Sequence, residues 1–235
     1  MKHDLKLEPT PVYNMCGLWL VPFIVSYAVT QVVHYTAMRG ITALGTSLDY
    51  SRHTFILYDL GFSLTPDWSM RRELSEALLM LLIAQGIAAT LWTASLGPAL
   101  AFMLLHGSLT LLRVVTFLST ILPDPSGTCQ DRDGKSIGGC HDLCFSGHMA
   151  AFVSGQLLCA ELFGHGLASS LLFAFLIFLK GYSIVAARSH YTVDVVVALY
   201  VSVLVFMVLR PSVIGLIDSP CGSPQFMRGL LYEAA

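Results

Sequence analysis

Polar and charged residues are gathered into a few short stretches of this chain, and between them run six apolar segments, 16–37, 76–96, 98–121, 148–163, 166–187 and 193–209. Each approaches the roughly 20 residues that an α-helix needs to cross bilayer hydrocarbon. The pattern therefore predicts six transmembrane helices with both termini on one side. The links at Gly97-Pro98 and Gly164-His165-Gly166 are short enough to force antiparallel hairpins. The long links 38–75 and 122–147 fall on the opposite side, together with a short turn at Arg188. The first run exceeds the core of a signal peptide, about 7 to 15 residues, and reads as a retained span. No internal repeat or low-complexity linker divides the sequence, so residues 1–235 read as a single six-span, all-α membrane domain with short tails at 1–15 and 210–235.

Composition strengthens this reading. The chain is 55% hydrophobic and 12% charged, with a mean hydropathy of +0.69, whereas soluble proteins carry about 25% charged residues. A net charge of −2 and the lack of a basic block argue against nucleic acid as a partner. Orientation is pulled two ways. Lys2, Lys6, Arg210 and Arg228 lie on the side of the termini, against Arg39, Arg52, Arg71, Arg72, Arg132 and Lys135 on the side of the long links, a count that turns those links toward the cytosol. Cys129, Cys140 and Cys144 all lie in or beside link 122–147, which suits an oxidising lumen.

Two stretches carry candidate chemistry. In Arg188-Ser189-His190-Tyr191-Thr192-Val193-Asp194, an imidazole and a carboxylate stand four residues apart, on one face if the segment is helical. A carboxylate inside hydrocarbon costs at least a few kcal/mol, so an aspartate kept there marks a candidate functional site unless a partner explains it. His190 supplies that partner: one ring N–H given to Asp194 fixes the tautomer and leaves the other nitrogen to attack or to take a proton. The second stretch is Gly139-Cys140-His141-Asp142-Leu143-Cys144-Phe145-Ser146-Gly147-His148. Ser146 suits an N-cap and Gly147 permits close approach, which puts His148 in the first turn of a helix whose free N–H groups attract phosphate.

Because the spans that start at these two stretches begin on the same side, His148 and His190 are expected to converge. Two histidines and an aspartate suit phosphoryl transfer, in which one histidine attacks phosphorus and the other handles the proton of the leaving oxygen. A metal set drawn from His141, Asp142, His148, His190 and Asp194 is the competing reading. Their spacing matches no zinc motif, and neither metal nor cofactor is expected. His34, His106 and His165 read as packing residues. Arg113 is the preferred phosphate clamp, since an unpaired guanidinium inside a span would be costly. Lys180 suits a structural pairing equally well, and Glu161 is expected to reach the interface far from the site.

Ser146-Gly147-His148 and His190-Tyr191-Thr192-Val193-Asp194 resemble the second and third signatures of the lipid phosphate phosphatase (PAP2) superfamily. More narrowly, Cys140-x-Asp142-x-x-x-Ser146-Gly147-His148, the His190 to Asp194 pentapeptide and the run 113–123 resemble its sphingolipid synthase branch, which contains sphingomyelin, ceramide phosphoethanolamine and inositol phosphorylceramide synthases. The resemblance covers about 105–209, with a weaker echo at Leu64-Thr65-Pro66-Asp67. It implies a PAP2-like helical bundle and a metal-free, two-step transfer of a phosphoalcohol (choline, ethanolamine or inositol) from a glycerophospholipid to ceramide, releasing diacylglycerol. His190 would attack, Asp194 support it, and His148 protonate the departing diacylglycerol and deprotonate the acceptor. Asp142 would lie near the headgroup, with Arg113, Arg188, Ser146 and Gly147 as further substrate-binding candidates. A Golgi, endoplasmic reticulum or plasma membrane setting, with the site on the lumenal or exoplasmic face, goes with the branch; homo-oligomerisation stays open. Two features depart from the superfamily pattern: the first signature, with its Lys and Arg-Pro, is absent, and Arg188 stands closer to His190 than the third signature's arginine does. Water as acceptor, giving a phosphatase or phospholipase C-like hydrolase, and diacylglycerol as acceptor are the alternative enzymes. A lipid-binding membrane protein is the non-enzymatic one.

Overall fold

The structure, a computed structural model, describes residues 11–47, 58–68, 73–122, 125, 143–164 and 166–219, with side chains from residue 20 to 45 in the first of these segments. The described residues form helices and no strands: α1 (Pro11–Ser47), α2 (Leu60–Leu64), α3 (Glu73–Thr93), α4 (Gly97–Ser119), α5 (Gly147–Phe163), α6 (Leu167–Ala186) and α7 (Thr192–Ile217). The all-helical class and the six apolar segments agree, with three differences. Helix α1 continues past the first apolar run, because Met38 and Ile41 are buried against Val114 and Phe117 of α4. A one-turn helix, α2, stands where the pattern showed only a link. Five helices (α1, α3, α4, α6 and α7) have the length and apolarity to cross a membrane. Helix α5 has 17 residues and spans about 25 Å at 1.5 Å per residue, short of the roughly 30 Å of hydrocarbon.

Helix α5 is also the hub of the bundle, packing against α3, α4, α6 and α7. Phe152, Val153, Ser154 and Gln156 in its middle are fully enclosed. Gly155 lets α3 approach: a Cβ there would stand 2.1 Å from Cδ1 of Leu82. The amide of Gln156 donates to Oε1 of Gln85 at 2.7 Å, a polar tie between α5 and α3. Helix α1 packs chiefly on α4. The two run parallel in one register, since Tyr27 Oη meets Nδ1 of His106 and His34 Nε2 accepts from Arg113, each across 79 residues of sequence. Gly107 lies beside the Tyr27 ring, which a Cβ would meet at an ordinary contact distance of 3.4 Å.

Helices α5 and α7 are likewise parallel, their starts joined by the Ser146 N–H donating to the carbonyl of Asp194 at 3.2 Å. Two charges within the bundle have local partners. Lys180 on α6 is fully buried and donates to Ser75 at the start of α3, to its carbonyl at 2.6 Å and its hydroxyl at 2.7 Å. At the opposite end, far from the site, Glu161 meets the half-exposed Arg210 of α7, with Nε to Oε1 at 2.7 Å.

Candidate active site

Both candidate stretches end at one point, the junction where α5 and α7 begin. Ser146 caps α5, its hydroxyl accepting from the Met149 N–H at 3.4 Å, and His148 occupies the exposed first turn as its spacing predicts. Asp194 lies in the first turn of α7 and is wholly enclosed. Its Oδ2 accepts from Nδ1 of His190 at 3.2 Å and from the Tyr191 N–H at 3.1 Å. Its Oδ1 accepts from the Cys144 N–H at 3.0 Å. One carboxylate therefore fixes the tautomer of His190, caps α7 and holds the loop that leads to His148. His190 itself is 6% exposed, and with Nδ1 given to Asp194 its Nε2 is the nitrogen left for chemistry.

Arg113, on α4, reaches this junction from the side. It is buried, its Nε donates to the Phe145 carbonyl at 2.8 Å, and Nη1 donates to Nε2 of His34. Its guanidinium lies against the start of α5 so closely that a Cβ on Gly147 would stand 3.1 Å from Cζ. A permanent cation is thus packed beside the free N–H groups of a helix start, the combination that holds phosphate. His34, read from sequence as a packing residue, is part of this assembly. Its Nε2 accepts from an arginine, so the ring is present with that nitrogen unprotonated.

Two residues at the junction hold left-handed backbone that side chains disfavour: Cys144 with φ 78° and Arg188 with φ 52°. Such conformations cost on the order of 1–3 kcal/mol each and cluster at functional sites. Arg188 has a local reason. It occupies the position after Ala187, the C-cap of α6, where glycine is usual, with Arg188 N–H to Val185 O at 3.0 Å and Ser189 N–H to Ile184 O at 3.2 Å completing the Schellman pattern. Cys144 has no disulfide partner among the described residues. Burial first, and then the charge of Asp194, push it above the ordinary thiol range, partly opposed by a hydrogen bond to Thr120.

The guanidinium of Arg188 turns toward α2. It donates to the carbonyls of Phe62 (2.9 Å) and Thr65 (3.3 Å) and to the hydroxyl of Thr65 (3.1 Å), and lies 4.3 Å from the Phe62 ring centroid. Asp59, which the sequence did not single out, accepts through Oδ2 from the Thr192 N–H at 2.6 Å and through Oδ1 from the Thr192 hydroxyl. The only local signal was an aspartate at a cap position ahead of Leu60-Gly61-Phe62. A helix of one turn is too short to show periodicity. Asp142, His141, Cys129 and Cys140 lie outside the described residues. Among the described residues, no three His, Cys, Asp or Glu side chains gather as a metal site.

Comparison with known proteins meets the site at the same residues. The family model described as the PAP2 superfamily C-terminal region matches residues 139–211. Over 91 residues the chain is 42% identical to a phosphatidylinositol:ceramide inositolphosphotransferase of Trypanosoma cruzi (strain CL Brener), covering 36% of this chain and 24% of that protein. It is 28% identical over 220 residues to the protein of that name from Oryza sativa subsp. indica, covering 77% and 62%. With phosphatidylinositol:ceramide inositolphosphotransferase 2 of Arabidopsis thaliana it shares 29% over 233 residues, covering 78% and 68%. The chain thus spans less than two thirds of the length of the first two. These matches bear out the resemblance read from the motifs: the region holding His148, His190 and Asp194 matches the PAP2 superfamily C-terminal model and is similar to phosphatidylinositol:ceramide inositolphosphotransferases.

Proposed function

We propose that the chain transfers a phosphoalcohol from a glycerophospholipid to ceramide, with phosphoinositol from phosphatidylinositol as the transferred group. The observation that carries this reading is the Asp194 carboxylate, enclosed and shared between His190 and the loop leading to His148. In the first half-reaction the lone pair of His190 Nε2 attacks phosphorus. The bond from phosphorus to the diacylglycerol oxygen breaks, and protonated His148 gives its proton to that oxygen. In the second half-reaction the primary hydroxyl of ceramide attacks the phosphohistidine and yields its proton to His148, while the P–N bond breaks and its electron pair returns to Nε2. Asp194 keeps Nδ1 of His190 protonated throughout, supporting the positive charge that develops on the ring.

Arg113, packed against Gly147 beside the first turn of α5, is the cation proposed to neutralise the non-bridging phosphate oxygens, together with N–H groups that follow the Ser146 cap. It stands in for the missing Lys and Arg-Pro signature. The headgroup is taken from the names of the relatives, and Asp142 remains a proposed headgroup contact. The near-complete burial of His190 supports a lipid hydroxyl over water as acceptor, because a phosphohistidine open to solvent would hydrolyse. A lumenal or exoplasmic site belongs to the same proposal.

Reconstituted in vesicles with phosphatidylinositol and ceramide, the protein should form inositol phosphorylceramide and diacylglycerol in equal amounts. His190→Ala should lose at least about 1,000-fold in rate. Full activity of that variant would sink the mechanism. Diacylglycerol formed equally fast without ceramide would make the protein a hydrolase, and product formed only from choline or ethanolamine phospholipids would change the headgroup while keeping the chemistry.

A further inference from the structure

The tripeptide His190-Tyr191-Thr192 is gripped on both sides by residues 59–65, a segment that takes no part in the two-histidine chemistry. On one side Asp59 accepts both polar hydrogens of Thr192, N–H and O–H. Its Oδ1 also accepts from the Phe62 N–H at 3.2 Å, so the same carboxylate caps α2 and ties it to the start of α7. On the other side Arg188 donates to two carbonyls and one hydroxyl of Phe62 and Thr65. Between these anchors the Phe62 ring stacks on Tyr191, centroids 5.6 Å apart with 27° between planes. The fit is close. A Cβ on Gly61 would stand 2.0 Å from Oγ1 of Thr192, so the segment approaches α7 as only glycine allows. The Trp68 N–H then donates to the Ala186 carbonyl at 2.8 Å, fastening the segment to the end of α6 as well.

Nothing in covalent geometry requires this arrangement. Arg188 holds a left-handed backbone where glycine would be unstrained, and from there its guanidinium reaches α2. Among the described residues His190, which stands between Arg188 and Thr192, makes one side-chain hydrogen bond, to Asp194 of α7 at 3.2 Å. A nucleophile with one such restraint depends for its position on how firmly its backbone is held, and a misplacement of about 1 Å can cost about 100-fold in rate.

We propose that Asp59 and Arg188 are positioning residues for His190: acting through Thr192, Tyr191 and the turn between α6 and α7, they hold the ring where Nε2 meets the donor phosphate. This inference rests on the phosphohistidine reading and gives Arg188 a different role from the phosphate contact that its sequence position implies. A residue that binds phosphate affects donor binding; a residue that aims the nucleophile affects the chemical step.

The test is steady-state kinetics of the full chain in vesicles, with thermal midpoints measured on the same preparations. Asp59→Ala, Arg188→Met and Gly61→Val should each lower kcat by 10- to 100-fold with KM for phosphatidylinositol changed less than about threefold. Asp59→Asn, which keeps an acceptor for the Thr192 N–H, should recover a large part of the Asp59→Ala loss. A merely structural role would lower the midpoint and the yield without a selective fall in kcat per folded molecule. If Asp59→Ala does not fold, the comparison of Asp59→Asn with Thr192→Val reads the same contact from its two sides. Unchanged kcat in both Asp59 variants, or a selective rise in KM with Arg188→Met, overturns the inference. His190→Ala run alongside keeps the two proposals apart: activity surviving there condemns the phosphohistidine mechanism, whereas its loss together with normal kcat in the Asp59 and Arg188 variants condemns only the positioning role.

Discussion

Helices α1 and α5 are both apolar, and they are used in opposite ways. Helix α1 is the longest in the described chain at 37 residues, yet only 6% of its membrane-spanning window is buried against protein. Helix α5 has 17 residues, packs on four neighbours and buries ten of them. In water the more buried helix would be the more apolar one, but in a bilayer lipid is as good a solvent for valine as a protein core. Apolar character therefore marks α1 as a span without saying what it touches. The short helix at the centre carries the Ser146 cap and His148, and the buried residues 143, 145 and 146 lead into it. Non-helical backbone near membrane depth is tolerated where protein rather than lipid covers it.

If that contrast is right, substitutions in α5 should be costly and those on the outer side of α1 nearly silent. The largest effect is expected from Gly155→Leu, which drives a side chain into Leu82. It should destabilise by about 3 kcal/mol, the upper part of the overpacking range, read as loss of monodisperse protein in detergent. Next comes Gln85→Leu, which removes the partner of the buried Gln156 amide. A cost of about 1–2 kcal/mol is expected, and the double variant Gln85→Leu with Gln156→Leu should recover most of it. Tyr27→Phe on α1 deletes one hydrogen bond to His106, worth about 0.6 kcal/mol in a membrane. Smallest is Gly40→Ala, where a Cβ meets nothing within 4 Å. The thermal midpoint should stay or rise by the equivalent of up to about 1 kcal/mol, since alanine is the better helix former. A Gly40→Ala penalty as large as that of Gly155→Leu would erase the distinction.

The junction offers a chemical probe as well. Burial and the Asp194 charge hold the Cys144 thiol above its usual range, so at a given pH less thiolate is present, and alkylation should lag behind that of an unperturbed thiol until the solution is made more alkaline. Asp194→Asn removes the second of those causes and should shift the alkylation profile of Cys144 toward lower pH, measured by mass spectrometry of the labelled peptide.

Much of this site was legible in the sequence because its signals are local. Ser146, Gly147 and His148 form a cap and a first turn within three residues. His190 and Asp194 are neighbours at helical spacing, and each apolar run shows itself within a window of about 20 residues. What escaped is made of partners far apart along the chain. Asp59 and Thr192 are separated by 133 residues, and Arg188 and Phe62 by 126. Neither member of either pair is unusual where it stands, so a carboxylate in a loop and an arginine in a turn carried no sign of each other. The same holds for His34, whose reading as a packing residue overlooked Arg113 because nothing near position 34 pointed to position 113. Lys180 was read with two outcomes open, and its bonds to Ser75 correspond to the structural one.

The matched contacts of α1 and α4, both spaced by 79 residues, bear on how the protein is made. At about 5–20 residues per second, the ribosome needs on the order of 4–16 s after Tyr27 and His34 emerge before His106 and Arg113 exist to receive them. During that interval α1 holds polar side chains in or near the bilayer with its later partners still unsynthesised. Insertion factors that shelter a nascent helix until α4 arrives would protect those groups from lipid.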